Sequence, residues 1–348
     1  MSDASTIVAY PFVEACFGRP HERVPIWMMR QAGRYLPEYR KVREQYTFLE
    51  MCHTPEVAAE VTLQPLRRFD LDAAIVFSDI LIFLPDMGLR IDFPGGGPQI
   101  ENPLSSPADV DALVEFDPAA GEHAVYEAIR ICTAGLAGTK PLIGFAGAPY
   151  TLACYAIEGK GSKDWSQAKA FLHRHPKAAD ALLSKLAESA ARHLQAQIDA
   201  GASVVQIFDS WAGSLGREDF ETFSKPYITR IVDAVKRPDI PVIVFARGVP
   251  PDWQTGMGAD VYGVDWRTDI RFAHDALAPA GVQGNLDPAL LLGPVELAVE
   301  RTARILDRMR GLDRFIFNLG HGVLPQTPPE TVGTIVDTVH NISADGAT

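Results

Sequence analysis

Cysteine is scarce and scattered. The chain has four, Cys16, Cys52, Cys132 and Cys154, with no C-x-x-C pair. That excludes a disulfide framework and argues against a thiolate zinc site, as does the lack of an H-x-C with a distant partner. Positive charge is also short: 32 Lys+Arg stand against 44 Asp+Glu, a net charge of −12. A nucleic-acid polyanion is therefore not the expected partner. A small anionic ligand survives that argument, because surface charge is screened over ~8 Å at physiological salt. No apolar run is long enough to span a membrane. The longest uncharged stretch, 141–157, is broken by Gly144, Gly147 and Pro149. MSDASTIVAYPF (1–12) carries an early Asp and no basic segment, unlike a signal peptide. No lysine ends an apolar run, since Lys140 precedes one, which disfavours Schiff-base chemistry. No G-x-S-x-G elbow occurs either. The expectation is a cytosolic enzyme that uses neither metal nor organic cofactor.

What is present is a rhythm. At 348 residues with 47% hydrophobic and 22% charged positions, the chain has material for a large core. Apolar runs recur as PIWMM (25–29), AAIVF (73–77), PLIGFAG (141–147), SVVQIF (203–208), PVIVFA (241–246), VYGVDW (261–266), GVQGN (281–285) and RFIFNLG (314–320). Most are continuous, as in strands buried on both faces. Helical patterns lie between them. Thr54-Pro55-Glu56 reads as N-cap, N1 proline and acidic first turn of a helix toward Arg68. Residues 176–200 form an Ala/Leu-rich helix stopped at Gly201, and 294–310 another stopped at Gly311. Eight strand–helix units in one chain of residues 1–348 predict a single α/β domain, a (β/α)₈ TIM-type barrel, with an open doubly wound sheet as the alternative. LRIDFPGGGPQIENP (89–103) reads as a small hairpin inserted in a loop, because its glycines lack the strand–loop–helix context and the lysine of a phosphate cradle.

In such a barrel the active site lies where strands end. That filter selects Arg30 and Arg34, Asp79, Tyr155, Asp209 and Ser210, Arg247, Asp265, Asn285 and His321. Clustered arginine forks suit a ligand with several carboxylates. The competing reading is a solvated face paired with Glu38 and Glu44. Asp79 is a charge among apolar neighbours and requires partners, either a ligand or the helix that it would cap. Ser210 and Tyr155 have equally plain readings as a cap and a core aromatic. His321, between two glycines, looks like a site loop.

The motifs PIWMMRQAGRYLPEYR, VFSDIL, GFAGAPYTLACYAIEG, QIFDSWAG, GNLDP and NLGHGVLPQTPPE appear in that order. Together they closely resemble the uroporphyrinogen decarboxylase family over about 11–342. Tyr150, Cys154 and the FARG loop (245–248) depart from common family residues without touching the motif residues that carry function. The resemblance implies a cytosolic (β/α)₈ homodimer without cofactor or metal that converts the four acetates of uroporphyrinogen III to methyls, giving coproporphyrinogen III for haem synthesis. It assigns Arg30, Gln31, Ala32, Gly33, Arg34, Asp79, Tyr155, Ser210 and His321 to the substrate. Asp79 would accept the pyrrole N–H groups, Arg30 would be a candidate proton donor, Tyr155 and Ser210 would contact substrate near the reacting acetate, and His321 would bind a propionate. Asp79, Arg30 and Tyr155 form the catalytic set. The chemistry agrees. Decarboxylation needs an electron sink, and a pyrrole protonated on carbon supplies its own. The protein must then provide an acid, an anion near the cation and clamps for carboxylates. Two other readings are a corrinoid-linked methyltransferase on the same barrel and a non-catalytic porphyrin carrier.

Overall fold

The computed structural model describes residues 10–94 and 97–345. Residues 1–9, most of the segment read as carrying no signal peptide, lie outside the described residues, as do Gly95 and Gly96 of the hairpin turn.

The strands are β1 (Ala74–Ile75), β2 (Ile91–Asp92), β3 (Gln99–Ile100), β4 (Leu142–Gly147), β5 (Val204–Asp209), β6 (Val242–Ala246), β7 (Val261–Gly263), β8 (Gly281–Leu286) and β9 (Phe315–Leu319). Seven of them pair in parallel in the order β1-β4-β5-β6-β7-β8-β9. The hairpin β2–β3 stands apart, with Ile91 opposite Ile100. Residues 25–29 close the ring. Ile26 bridges Phe317 of β9 in parallel, the Phe317 N–H donates to the Pro25 carbonyl at 2.8 Å, and the Asp72 N–H donates to the Ile26 carbonyl at 2.8 Å. The open-sheet alternative is thereby excluded.

The closing segment is extended yet barely laddered, because side chains take its donors. Asp72 Oδ2 accepts the Ile26 N–H at 2.8 Å, Gln31 Oε1 accepts that of Met28 at 3.3 Å, and Asn318 Oδ1 accepts that of Met29 at 3.1 Å. The second strand is cut to two residues in the same way, with Thr62 Oγ1 accepting the Phe77 N–H at 2.8 Å. Buried backbone donors need partners, and hydroxyl, amide and carboxylate oxygens serve as well as a neighbouring strand.

Two apolar clusters divide the core. One fills the barrel, from Trp27, Met29, Ala73, Ile143, Val204, Ile243, Val261 and Ile316, and continues into Phe12, Val13, Ala15 and Cys16 of helix Pro11–Phe17. Because Val204 and Val261 begin their strands, that helix plugs the N-terminal end. The other, larger cluster joins the outer faces of the strands to the surrounding helices. Every residue of β4 and β6 is buried, as continuous apolar runs require. Helices run over Pro55–Arg68, Pro176–Asp199 and Val295–Arg308. Thr54 sits at the N-cap of the first, but its hydroxyl makes no capping bond; the proline alone sets that start. The expected VYGVDW strand is shorter than its apolar run, since Asp265 is drawn out of the sheet by Arg267 and Gly248.

Candidate active site

Arg30 follows the closing segment with φ +60°, a left-handed backbone rare outside glycine. Such strain persists only when the surroundings over-determine it. Here they do. The Met29 carbonyl accepts the Val323 N–H at 2.8 Å. The Arg30 stem lies flat over Gly322, where an added Cβ would stand 2.5 Å from Arg30 Cγ. A glycine beside His321 is therefore what lets Arg30 lie across the mouth. Gly322→Ala should displace the guanidinium and lower kcat/KM at least about tenfold, with little change in Tm, since only one charge-assisted contact is disturbed. Unaltered kinetics would show that Arg30 has no fixed position.

The basic loop is not a salt-bridged face. Glu38, its expected partner, is held bidentately by Arg68 at 2.7 and 2.9 Å. Among the described residues, Arg23, Arg68 and Arg267 are paired with carboxylates, and Arg30, Arg34 and Arg247 are not. The N–H groups of Ala32, Gly33 and Arg34 also lack acceptors among the described residues. Arg34 is exposed, farther out along the loop. Gln31, expected at the substrate, also braces the loop. Its amide bonds Met28 N–H and Ala73 O, its N–H donates to Met28 O at 2.9 Å, and its carbonyl accepts the Tyr35 hydroxyl at 2.8 Å. These four bonds fix the side chain and backbone of Gln31 beneath the loop.

Asp79 lies on the turn after β1. Its Oδ1 accepts the Leu81 N–H at 2.9 Å, so it does cap the following turn, with one oxygen only. Burial pushes its carboxyl up to about 6, against the pull of the Leu81 N–H and the Arg30 guanidinium. It borders a cavity of about 510 Å³, of ligand size, walled by Leu49 and His53 on one side and Arg90, Ile91, Phe93 and Glu101 of the hairpin region on the other. The inserted hairpin is thus a wall of the cavity beside Asp79. A larger hollow, about 620 Å³, lies outside the barrel. Both of its carboxylates are already paired, Glu60 with Arg67 and Glu38 with Arg68.

Tyr155, buried on helix Pro149–Glu158 after β4, packs edge-on against Trp165 at 5.2 Å and Trp211 at 6.1 Å. Burial first, and the Asp79 charge second, push its hydroxyl up to about 12, so it stays protonated. Across the mouth Phe145, Phe208, Phe245 and His321 meet in sequence at 5.6, 6.2 and 6.3 Å. They form an apolar floor with an imidazole at its end. Burial, then Arg30 and Arg247, press the His321 pKa down to about 3, so the ring is neutral at physiological pH. Arg30, Asp79, Tyr155 and His321 therefore share one electrostatic neighbourhood.

Other strand-end residues are committed elsewhere. Asp209 is fully buried and takes the Thr151 and Ser224 hydroxyls, each at 2.6 Å, tying two helices to β5. Asn285 Nδ2 donates to the carbonyls of Asp265 and Thr268 at 3.0 and 2.7 Å. Ser210, half-buried at the end of β5, follows that anchored Asp209. Sequence reasoning missed two candidates. Ser78 Oγ, like Arg247 Nε, is buried without a partner among the described residues, and Trp211 Nε1 lies beside the Tyr155 hydroxyl; orphaned polar atoms just past strand ends mark a site. Both adjoin selected residues, Asp79 and Ser210, which was the available signal.

The description of a family model, "Uroporphyrinogen decarboxylase (URO-D)", matches residues 9–342. A uroporphyrinogen decarboxylase of Trichlorobacter lovleyi is 48% identical over 336 residues, covering 95% of this chain and 98% of the relative. That of Geobacter sulfurreducens is 47% identical over 335 residues, with the same coverage of each. Among solved structures, a methyltransferase from Methanosarcina mazei superposes with TM-score 0.79 at 18% identity, covering 95% of this chain and 98% of that one. A putative vitamin-B12-independent methionine synthase from Listeria monocytogenes gives 0.56 at 12% identity, covering 93% and 96%. Those two likenesses concern the fold alone. The family match over nearly the whole chain, together with relatives close to half identical, places this chain in the uroporphyrinogen decarboxylase family.

Proposed function

We propose that this chain, as one barrel domain over residues 1–348, decarboxylates the four acetate side chains of uroporphyrinogen III to methyls, giving coproporphyrinogen III. The observation that carries the reading is the convergence of Arg30, Asp79, Tyr155 and His321 at the C-terminal mouth, above a floor of aromatic edges. Each acetate exchanges its carboxylate for a proton: one proton is taken up, one carbon dioxide leaves, and no electron is gained or lost. A proton delivered to a pyrrole carbon makes an iminium that accepts the electron pair of the breaking C–C bond. The resulting exocyclic methylene is protonated to a methyl, and the proton first placed on the ring carbon then leaves as the ring recovers its aromaticity, so the net uptake is one proton.

The residues divide that work. The Asp79 carboxylate accepts pyrrole N–H groups and sits beside the developing cation. Arg30, Arg34 and the N–H groups of Ala32 and Gly33 hold carboxylates, and Arg30 is the candidate donor for the first proton. Tyr155 and Ser210 position the reacting acetate, and neutral His321 donates an N–H to a propionate. The family resemblance also supports a homodimer working in the cytoplasm. Among the described residues no helix is long and apolar enough to cross a membrane. Anaerobic incubation of pure protein with uroporphyrinogen, followed by chromatography, should yield the four-carboxylate product. Unchanged substrate would refute the reading.

A pH profile follows. Asp79 must be ionised to accept N–H groups, and its carboxyl sits at about 6. kcat/KM should therefore fall as pH drops through about 6 and stay level above it. His321, held down at about 3, remains neutral in that window and cannot produce the limb. The residual activity of Asp79→Asn should lack the limb; its persistence would assign it to another group.

A further inference from the structure

Arg247 extends β6 into the mouth from a fixed origin. Its N–H donates to the Asp209 carbonyl at 3.1 Å and its own carbonyl accepts the Gly213 N–H at 3.0 Å. The guanidinium lies 5.8 Å over the Trp266 ring. Its Nε is buried and has no hydrogen-bond partner. The carboxylate nearest in influence, Asp265, is already full. Its Oδ1 accepts the Arg267 N–H at 2.9 Å and Nε at 3.2 Å, while Oδ2 accepts Arg267 Nη2 at 2.6 Å and the Gly248 N–H at 2.7 Å. The remaining charged neighbours, Arg30 and Arg267, carry the same sign, and with burial they press the Arg247 pKa down. The His321 ring lies within the field of both Arg30 and Arg247. Two cationic forks and a neutral imidazole thus face one region, where Asp265 is spent and Asp79, in the field of Arg30, is the other carboxylate, and one fork has a buried donor with no partner among the described residues. Folded chains rarely leave buried donors unpaired and like charges together without a ligand to match them.

We propose that Arg247 is a further substrate-binding residue, which together with Arg30 and His321 holds one carboxylate side chain of the tetrapyrrole. The proposal rests on the site reading above and adds a residue to it. Arg247 joins the clamp by charge and by its planar fork, so lysine should replace it only in part. The group bound is a propionate or an acetate, and product binding separates the two.

The test compares Arg247→Gln and Arg247→Lys with wild type, using anaerobic turnover of uroporphyrinogen and fluorescence titration with coproporphyrinogen. Losing a charge-assisted contact made in both ground and transition states should raise KM at least about tenfold and leave kcat within about threefold, with lysine recovering part of the loss. A parallel rise in Kd for coproporphyrinogen identifies a propionate, which that molecule retains. An unchanged Kd identifies an acetate, which it lacks. Should the Gln variant melt more than about 5 °C lower, Arg247→Met takes its place, since its unbranched stem keeps the packing over Trp266. KM and Kd both unaltered in a folded variant would overturn the proposal while wild-type turnover leaves the activity reading standing. Wild-type binding that weakens in the variant, without any turnover, would uphold Arg247 and sink the decarboxylase reading. Absence of both binding and turnover in wild type would sink both.

Discussion

Asp79→Asn is expected to lower kcat at least about a hundredfold while the protein remains folded. The amide keeps an oxygen where Oδ1 now accepts the Leu81 N–H, so the turn after β1 retains its cap. What disappears is the charge, and an amide N–H can now confront the pyrrole donors. One preorganised electrostatic contact to a developing charge is typically worth ~10²–10³ in kcat. The stability effect has a definite sign. Burial raises the folded-state pKa to about 6, above the ordinary 3.8. Holding the ionised form is therefore a cost to the folded protein that grows as pH rises through this interval and is complete above about 6. Asn removes that cost, so Tm at pH 8 should be equal or higher. The measurements are kcat, circular dichroism and Tm. A folded variant within tenfold of wild type would reduce Asp79 to its capping role.

Arg30→Met should cost a similar ~10²–10³ in kcat/KM, because Arg30 is the group whose field reaches Asp79, Tyr155, His321 and Arg247 alike. Methionine keeps a stem over Gly322 and removes the fork. A second readout separates lost charge from disturbed packing. Arg30 helps hold the His321 pKa down near 3, so in the variant the imidazole should titrate measurably higher by NMR. A kinetic loss with the His321 titration unmoved would mean that the loop had merely shifted.

The barrel was legible because its strands are buried on both faces and read as unbroken apolar runs, which survive any uncertainty in register. The site was legible because strand ends at one face of a barrel are where side chains meet. What could not be read was which polar groups are already spent. Glu38 is claimed by Arg68, thirty positions away, and this is what frees Arg30 and Arg34. Gln31 belongs to the arginine-bearing loop yet turns inward to hold Met28 and Ala73. Asp209 ends a strand as a catalytic acid might, but Thr151 and Ser224 occupy both its oxygens. Ser78 Oγ and Arg247 Nε, also just past strand ends, lack such partners among the described residues. Spent and unspent groups have the same one-letter codes, and tertiary contacts alone distinguish them.

The seam that closes the ring also sets a timetable. The loop bearing Arg30 precedes its anchors by most of this sequence, Met29 and Asn318 standing 289 positions apart. Asn318 holds the Met29 N–H, Val323 holds the Met29 carbonyl, and Gly322 supplies the surface on which Arg30 rests. Until β9 docks, the early arginines are unplaced cations on a nascent chain. Activity is thereby tied to the docking of β9: without that strand and the loop after it Arg30 is not fixed, however well the preceding strands have assembled.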